Sequence, residues 1–319
     1  MARGRTLKGV KKALFFWANS VGLNYEYGKE KRNPLYALKL KIARKLVFSK
    51  WKAALGENLD IVVSGGAALQ PRLNRIFWAV GARIIEGYGL TETSPVIAVS
   101  DFGPNGIKFG TVGPVLKGVQ VKIAEDGEIL VKGPNVMMGY FKDDKLTREV
   151  IDEEGWFHTG DIGKIEPEGQ LRITDRKKVI FKTSFGKYIA PQVLENKFKE
   201  SPFIDQVLVL GDNQKFAAAL IVPDFNHLKN WCSAKAIPYT TNTEMITLPR
   251  IRKRFQKEIS HYNQNFGDFE RIAKFELLDH ESGLETGQLS ATLKLRRFHL
   301  LTGYDQYIRK NYHNEKTYA

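Results

Sequence analysis

The sequence is poor in the residues that build disulfide frameworks and zinc sites. It has one cysteine, Cys232, and six histidines in 319 residues. A single cysteine excludes a disulfide within the chain and argues against a zinc site built on thiolates. With 43% hydrophobic residues, the chain can bury one large core or two smaller ones.

Long apolar runs are also missing. The longest uncharged run near the start, residues 13–25, is interrupted by Asn19, Ser20 and Asn24. It is too short and too polar for a membrane span, and no small-residue cleavage site of a signal peptide follows it. We therefore expect a cytoplasmic protein, with any membrane contact being peripheral and on the inner face.

Acidic residues are scarce in the first part of the chain. Residues 1–52 hold fourteen Lys and Arg but only Glu26 and Glu30, so this segment carries a net charge of +12 out of +14 for the whole chain. Such asymmetry points to an anionic partner or surface, and an anionic membrane is the candidate. A solvated basic face, or pairing with acidic residues outside this chain, accounts for the same pattern. No nucleic-acid partner is expected.

Apolar residues recur at helical spacing in two early stretches, residues 5–21 and 35–55, which Asn33 and Pro34 separate. The residues at this spacing are Leu7, Val10, Leu14, Trp17 and Val21, then Leu35, Leu38, Ile42, Leu46 and Leu55. The pattern predicts two amphipathic helices with basic outer faces and with these apolar stripes in the core.

Strands and helices then alternate. Residues 60–64 predict a short buried strand, a helix is expected to begin near Pro71, and residues 82–86 predict a second strand. Strand–turn–helix alternation is typical of a parallel α/β sheet. Residues 1–109 are therefore predicted to be the helical and α/β part of a large domain.

From Gly110 the hydrophobic period changes to two. Residues 119–131 and 162–173 each read as two short alternating runs around a turn, which predicts two β-hairpins. Residues 110–174 are thus predicted to form a small antiparallel β subdomain that completes a large domain of residues 1–174.

Residues 175–319 mix helical and strand patterns. A helix is expected to begin at Pro191, because proline is favoured in the first helical turn. This region is predicted to be a separate, compact and mobile α+β domain, so that the fold class is α/β with a second, smaller domain.

The most informative segment reads Glu86-Gly-Tyr-Gly-Leu-Thr-Glu-Thr-Ser-Pro95. Glycine lets the backbone approach a ligand closely, and a tyrosine ring can stack on a base. Thr91 offers a hydroxyl and Glu92 a carboxylate, a pair suited to a phosphate and its Mg²⁺. By residue type alone, an ordinary glycine-rich turn is the better explanation of this segment.

The segment also resembles the Tyr-Gly-x-Thr-Glu signature of the adenylate-forming superfamily, which includes the acyl-CoA synthetases. Four further segments resemble motifs of that family, in the family's order, and the five together extend over essentially the whole chain. They are Ser64–Ala67 for the adenine-side loop, Gly155–Asp161 for the ribose motif, Thr174–Lys182 with Gly186 and Lys187 for the hinge motif, and Leu289–Lys294 for the C-terminal lysine motif. A chance match to all five in order is very improbable.

The resemblance implies a role for each matching residue. Tyr88 would stack on adenine, Asp161 would accept hydrogen bonds from the ribose hydroxyls, and Arg176 would donate to the ribose region. Thr91 would hold a phosphate oxygen and Glu92 would bind Mg²⁺. The full set implied to bind the nucleotide is Gly65, Gly66, Ala67, Glu86, Gly87, Tyr88, Gly89, Thr91, Asp161, Ile173 and Arg176.

Three further roles follow from the same resemblance. Asp175 would be the hinge about which the C-terminal domain turns, and Gly186 with Lys187 would line the path of coenzyme A. Lys294 would be the catalytic lysine, assisted by Thr91 and Glu92, and would offset negative charge as a carboxylate meets the α-phosphate. The long-chain branch of the family commonly has proline where this chain has Ala291.

The long-chain fatty acid–CoA ligase branch is favoured by three segments that resemble it, Lys45–Lys50, Val63–Ala68, and Asp175–Lys178 with Tyr188–Pro191. The expected activity joins a fatty acid to coenzyme A with ATP and Mg²⁺. Two alternatives stay open: a ligase that uses an acyl-carrier protein or stops at acyl-AMP, and a non-catalytic nucleotide-binding module. His158 is expected to be structural, because a substrate carboxylate is already the nucleophile.

The Ser/Thr/Gly-rich loop with which the family wraps the β- and γ-phosphates is missing, and so is a Gly-x-x-x-x-Gly-Lys-Ser/Thr loop. In the family this loop and the acyl gate lie upstream of the Tyr-Gly-x-Thr-Glu motif. The chain is therefore expected to be the C-terminal part of such an enzyme, to be inactive alone, and to need the missing N-terminal region as its partner.

Overall fold

The computed structural model describes residues 4, 7–56 and 58–279. The chain divides into two compact units, and the division lies between Lys177 and Lys178. The predicted boundary at residues 174 and 175 is close to this division, and the predicted movement of the second domain stays a prediction. Among the described residues, no helix is both long and apolar enough to cross a membrane.

Helices open the first unit, and the predicted break between them is present. The Asn33 side chain accepts a hydrogen bond from the Tyr36 N–H at 2.9 Å, and Pro34 occupies the first turn of the next helix. The helical elements are α1 Gly9–Leu23, α2 Lys29–Arg32, α3 Pro34–Ala43, a π-helical turn Arg44–Phe48 and α4 Ser49–Leu55.

The apolar stripe predicted to bury residues 35–55 lies on the outside of the unit, so that prediction is wrong. Its members Leu35, Leu38, Ile42, Leu46 and Leu55 are all exposed. The side chains that are buried are Tyr36, Leu40, Ala43, Val47 and Phe48. The segment is apolar on two faces, and the face with the aromatic rings packs with Trp78 in one cluster. Helical spacing alone cannot decide which of two apolar faces of one helix is buried.

A three-stranded sheet follows, in the order β1-β2-β3. Its first two strands, β1 Ile61–Gly65 and β2 Arg83–Gly89, are parallel, and α5 Pro71–Val80 connects them. This confirms the predicted alternation of strand, helix and strand. The prediction that the first strand is buried is wrong, because Ile61 and Val63 are 45% and 69% exposed. The third strand, β3 Val96–Val99, was not predicted, and it pairs antiparallel with β2.

The predicted β subdomain is a four-stranded antiparallel sheet in the order β4-β5-β6-β7. Both expected hairpins are present, β4 with β5 and β6 with β7. Leu171 and four residues of β3 and β5 form a buried cluster that joins this sheet to the first. The elements are β4 Gln120–Ile123, β5 Glu128–Lys132, α6 Asp144–Val150, β6 Phe157–Ile165 and β7 Leu171–Arg176.

The second unit has a three-stranded sheet with its own core. The strand order is β10-β11-β12, with the first pair antiparallel and the second pair parallel. The helix predicted from Pro191 is present, and it packs in one buried cluster with Phe255 and Ile221. The elements are β8 Phe181–Lys182, β9 Tyr188–Ile189, α7 Pro191–Phe198, β10 Ile204–Leu210, β11 Ala217–Pro223, α8 Phe225–Ala234, α9 Asn242–Thr247, α10 Pro249–Asn263 and β12 Ile272–Leu277.

Candidate nucleotide-binding site

Two glycine-rich segments meet at the carboxyl ends of β1 and β2. These strands are parallel and in register, with Gly65 opposite Gly87. Gly66 follows with a φ of 74°, a left-handed conformation that favours glycine. The predicted Gly65–Ala67 loop and the Glu86–Gly89 segment therefore lie side by side. In open α/β sheets, ligands bind outside this edge of the strands.

Tyr88, Asp161 and Arg176 come together around one carboxylate. The Tyr88 hydroxyl donates to Asp161 Oδ2 at 2.8 Å. Arg176 Nε lies 3.0 Å from Asp161 Oδ1, and the two residues are opposite each other in β6 and β7. Asp161 is buried, whereas the Arg176 side chain is largely exposed. Three residues that the sequence places far apart thus form a single polar group.

The Tyr88 hydroxyl is held in its neutral, hydrogen-donating form. Burial of the ring, together with the nearby Asp161 carboxylate, raises the pKa of Tyr88 above its usual range. The ring also packs against the buried cluster that joins the two sheets, and Ile173 packs against the same cluster. The orientation of the ring is therefore set from both ends, by apolar contacts and by the bond to Asp161.

Glu86 is a buried carboxyl group beside the glycine loop. It is 7% exposed, and its Oε1 accepts a hydrogen bond from Asn74 Nδ2 at 3.0 Å. Burial raises the pKa of Glu86 to about 7, although hydrogen bonds from Asn74 and from the Leu69 backbone favour the ionised form. Glu86 thus ties β2 to α5 and to the loop that follows β1.

Glu92 lies in a short 3₁₀ turn, Thr91–Thr93, after β2. The Tyr140 hydroxyl donates to Glu92 Oε1 at 3.0 Å, and the Met137 N–H donates to the Glu92 carbonyl at 2.8 Å. These two bonds fix both the backbone and the carboxylate of Glu92. Sequence reasoning missed Tyr140, because nothing in its neighbourhood indicates that it reaches a residue 48 positions away.

The turn that holds Glu92 offers one carboxylate and one hydroxyl, donors that Mg²⁺ accepts when other ligands complete its coordination. Magnesium takes few protein carboxylates and fills its other positions with water and substrate phosphates. Glu92 is one half-buried carboxylate, and the exposed Thr91 hydroxyl precedes it in the same turn. In the described part of the chain, no group of three or more His, Cys, Asp or Glu could hold a metal by itself. A metal at Glu92 would thus depend on the nucleotide for most of its ligands.

A further carboxylate, Glu128, has several hydrogen-bond and ion-pair partners near the end of the first unit. Its Oε2 lies 2.7 Å from Lys177 Nζ and 3.3 Å from His158 Nδ1, and its Oε1 accepts the Gly160 N–H at 2.9 Å. Burial opposes ionisation of Glu128, but these donors outweigh it and hold its pKa below the ordinary value. Lys177 also lies 2.6 Å from Asp126 Oδ2. His158 therefore takes part in a structural cluster, and sequence reasoning missed the other members of that cluster.

Of the other predicted residues, one lies beside Arg176 in the first unit, two belong to the second unit and one lies outside the described residues. Asp175 lies within β7, is buried and accepts the Arg176 N–H at 2.7 Å, so its action as a hinge stays a prediction. Gly186 and Lys187 lie in the turn between β8 and β9 of the second unit, where Gly186 has a φ of 79°. Lys294 lies outside the described residues.

Models of protein families match segments in both units. Residues 27–141 match the family described as AMP-binding enzyme. Residues 179–316 match the family described as AMP-binding enzyme C-terminal domain.

Curated relatives of the chain include long-chain fatty acid–CoA ligases. Long-chain-fatty-acid–CoA ligase FadD15 of Mycobacterium tuberculosis is 36% identical over 290 residues, which cover 90% of this chain and 48% of the relative. Long-chain-fatty-acid–CoA ligase 6 of Mus musculus is 34% identical over 282 residues, covering 84% of this chain and 40% of the relative. The chain thus spans about half the length of the curated relatives it matches.

Solved structures show the same fold. The adenylation domain of a carboxylate reductase from Mycobacterium chelonae superposes with a TM-score of 0.67 at 21% identity, over 93% of this chain and 45% of that one. The corresponding domain from Segniliparus rugosus, solved with AMP and a co-purified carboxylic acid, gives 0.63 at 21% identity, over 92% and 45%. These likenesses confirm the predicted mixed α/β fold. The matches to the two family models and the similarity to the curated ligases agree: residues 27–141 belong to the AMP-binding enzyme family and residues 179–316 to the C-terminal domain of such enzymes.

Proposed function

We propose that the first unit binds the AMP part of an acyl adenylate, and that the whole protein is an ATP-dependent long-chain fatty acid–CoA ligase. The observation that carries this proposal is the Tyr88–Asp161–Arg176 group beside the paired glycine segments of β1 and β2. A ring fixed by a buried carboxylate offers adenine a flat surface, and a carboxylate can accept hydrogen bonds from ribose hydroxyls.

The proposed reaction has two steps. In the first, a carboxylate oxygen of the fatty acid attacks the α-phosphorus of ATP, the bond to pyrophosphate breaks, and acyl-AMP forms. In the second, the coenzyme A sulfur attacks the acyl carbon, the bond to AMP breaks, and the thiol proton is released to solvent. The first step brings two anions together, so the residues that hold the phosphates must compensate negative charge.

The turn after β2 supplies the proposed phosphate and metal contacts. Thr91 would hold a phosphate oxygen and Glu92 would hold Mg²⁺, with Tyr140 orienting the Glu92 carboxylate through its 3.0 Å hydrogen bond. When bound, Mg²⁺ would neutralise charge on the phosphates. Gly66 and Gly87 would let the backbone approach the adenine ring, and Ala67 would lie against the ring beside them.

The second unit is proposed to act as a lid with two working positions. Lys294 would face the reacting phosphate during adenylation, and Gly186 with Lys187 would face the coenzyme A path during thioester formation, with Asp175 as the pivot. This proposal rests on the resemblance of these segments to the hinge and lysine motifs. Lid motions of this kind occur in microseconds to milliseconds and would complete the site after substrates bind.

Long-chain fatty acids are the proposed substrates because the curated relatives carry that name at 34–36% identity. Coenzyme A is the proposed acceptor for the same reason. Two alternatives are transfer to an acyl-carrier protein and release of acyl-AMP. Measuring which thiol drives AMP release in the whole protein distinguishes them from transfer to coenzyme A.

A weak contact with anionic membranes is proposed for residues 1–52. The support is their net charge of +12 and the exposure of basic residues such as Lys11, Lys12, Lys39 and Lys41. Basic residues near an anionic bilayer contribute about 1 kcal/mol each. Such a contact would keep a lipid-handling enzyme close to its acyl substrate.

The nucleotide proposal is tested by AMP binding to the purified chain, measured by isothermal titration calorimetry. Asp161→Asn removes the charge that the ribose would meet, and hydrogen bonds to charged groups contribute about 1.5–3 kcal/mol. We expect the affinity for AMP to fall about 10- to 100-fold. Glu125→Gln, which neutralises an exposed carboxylate of the same unit, is the control. A folded chain that does not bind AMP, or an Asp161→Asn variant of unchanged affinity, would refute the proposal.

A further inference from the structure

Strand β6 is irregular where it carries the proposed ribose-binding carboxylate. Two pairs of opposite residues on β5 and β6 enclose the irregularity. Between these pairs β5 has the single residue Ile129, whereas β6 has the three residues Thr159, Gly160 and Asp161. These three residues form the β6 bulge. A bulge breaks the regular alternation of side chains along a strand, and bulges beside functional sites serve to aim a side chain.

Glu128 and Thr159 hold the backbone of the β6 bulge. The Gly160 N–H donates to Glu128 Oε1 at 2.9 Å. The Asp161 N–H donates to Thr159 Oγ1 at 3.1 Å, and the same hydroxyl donates to the Ile129 carbonyl at 2.8 Å. Gly160 has a φ of 70°, and glycine restricts its own backbone least. The conformation of the β6 bulge is therefore set by these hydrogen bonds and not by the residue at its centre.

Glu128 does more than balance the charge of a lysine. Lys177 Nζ lies 2.7 Å from Glu128 Oε2, but it also lies 2.6 Å from Oδ2 of the exposed Asp126. Asp126 can neutralise this lysine without an ionised group being placed in the interior, which is unfavourable, and Glu128 is only 3% exposed. What Glu128 adds is the bond from its other oxygen to the Gly160 N–H.

Asp161 is the last residue of the β6 bulge, so its position depends on the conformation of the bulge. Its buried carboxylate accepts the Tyr88 hydroxyl through Oδ2 and faces Arg176 through Oδ1. These contacts act at the end of the Asp161 side chain, whereas the bonds from Glu128 and Thr159 act on the backbone that carries it. A binding group keeps its geometry when surrounding residues fix it in this way.

We infer that Glu128 and Thr159 are positioning residues for ribose recognition: by fixing the β6 bulge, they place the Asp161 carboxylate where it accepts the ribose hydroxyls of the nucleotide. The inference rests on the proposed function, in which Asp161 binds the ribose. The two residues act through Asp161 and not on the nucleotide itself. Their removal should therefore weaken the binding of ligands that carry ribose hydroxyls and spare ligands that lack them.

The test compares the affinities of the purified chain for AMP and for 2′,3′-dideoxy-AMP, which lacks both ribose hydroxyls, by isothermal titration calorimetry. We expect the parent chain to bind AMP about 10- to 100-fold more tightly than the dideoxy ligand, because a carboxylate accepts the hydroxyls in AMP alone. Glu128→Ala and Thr159→Val should each lower this ratio of affinities about tenfold, through weaker binding of AMP. The affinity for 2′,3′-dideoxy-AMP should stay unchanged.

Two further variants are matched controls. Thr159→Ser retains the hydroxyl and should have the ratio of the parent chain. Asp126→Asn removes the other carboxylate partner of Lys177 without touching the β6 bulge, and it should also keep that ratio. Circular dichroism identifies the variants that fold. Thr159→Val has nearly the shape of the parent residue and carries the test if Glu128→Ala does not fold.

The inference is overturned if folded Thr159→Val or Glu128→Ala keeps the ratio of the parent chain. It is also overturned if the affinities for both ligands fall equally, because a general loss of structure at the site gives that result. A parent chain that does not bind AMP, or that binds both ligands equally, refutes the proposed role of Asp161 and the inference with it. The parent chain thus reports on the proposed function, and the variants report on the positioning role.

Discussion

Glu86→Gln should stabilise the first unit at alkaline pH and have little effect at acidic pH. The pKa of Glu86 is about 7 in the folded chain, against an ordinary value of 4.5. Between these values the folded chain binds the Glu86 proton more tightly than the unfolded chain does, so the free energy of unfolding falls as the pH rises. The favourable contribution of the protonated group is complete below pH 4.5 and is lost as the pH passes 7.

The magnitude follows from the difference between the two pKa values. At about 1.4 kcal/mol for each pKa unit, ionisation of the buried carboxyl group lowers the unfolding free energy by about 3 kcal/mol at pH 8. The amide oxygen of Asn74, unlike its amide nitrogen, could be satisfied only by a hydrogen-bond donor at position 86. Its Oδ1 is buried and has no hydrogen-bond partner in the described structure, while its Nδ2 donates to Glu86. A protonated Glu86, or a Gln at this position, can donate to that oxygen and so form a second hydrogen bond with Asn74.

The assay is urea unfolding of both proteins at pH 4.5, 6 and 8, followed by tryptophan fluorescence. Four of the five tryptophans lie in the first unit, at positions 17, 51, 78 and 156, so the signal reports mainly on that unit. We expect the variant to be more stable than the parent by about 3 kcal/mol at pH 8 and to equal it at pH 4.5. Glu125→Gln is the control and should show no such trend. A stability difference that does not change with pH, or a less stable variant at pH 8, would refute the reasoning.

Three further predictions concern the backbone, the membrane and the lid. Gly89→Ala should destabilise the first unit far more than Gly118→Ala in the same urea assay. A Cβ on Gly89 would overlap the Pro95 carbonyl, whereas a Cβ on Gly118 would meet open space and only the φ of 87° would disfavour alanine there. Residues 1–52 should bind anionic vesicles at low salt and release them above about 0.15 M salt; equal co-sedimentation with neutral vesicles at low salt would contradict this. In the whole protein, Lys294→Ala should slow pyrophosphate exchange about 10²–10³-fold yet still convert supplied acyl-AMP to acyl-CoA. Gly186→Trp should keep pyrophosphate exchange and lose the conversion of acyl-AMP to acyl-CoA. Equal loss of both activities in both variants would exclude a two-position lid.

Local rules were sufficient to predict most of the elements. Asn33 and Pro34 end one helix and begin the next because a side-chain cap and a fixed φ act within one turn. The two hairpins were predicted from alternation around short turns, and both are present. The short strand β3 was missed, because four residues give too little periodicity to identify it.

The residues of the candidate site were predicted from motif resemblance, but their arrangement was not. Tyr88 and Asp161 are 73 positions apart, and the 2.8 Å bond between them exists because β2 and β6 belong to sheets that share a buried cluster. Tyr140 reaches Glu92 in the same manner, through a loop whose path no sequence pattern indicates.

The sequence by itself indicated the family resemblance, most of the elements in their order, and the glycine, tyrosine and carboxylate positions of the motifs, because these depend on residue type and on local spacing. Only the tertiary structure decided which apolar face of α3 is buried, since the faces of Leu38 and Leu40 have equal helical periodicity and differ only in what packs against them. It also decided which carboxylates are buried beside donors, and hence that the pKa of Glu86 rises while that of Glu128 falls. Burial and through-space contacts are properties of the folded chain, and no local pattern contains them.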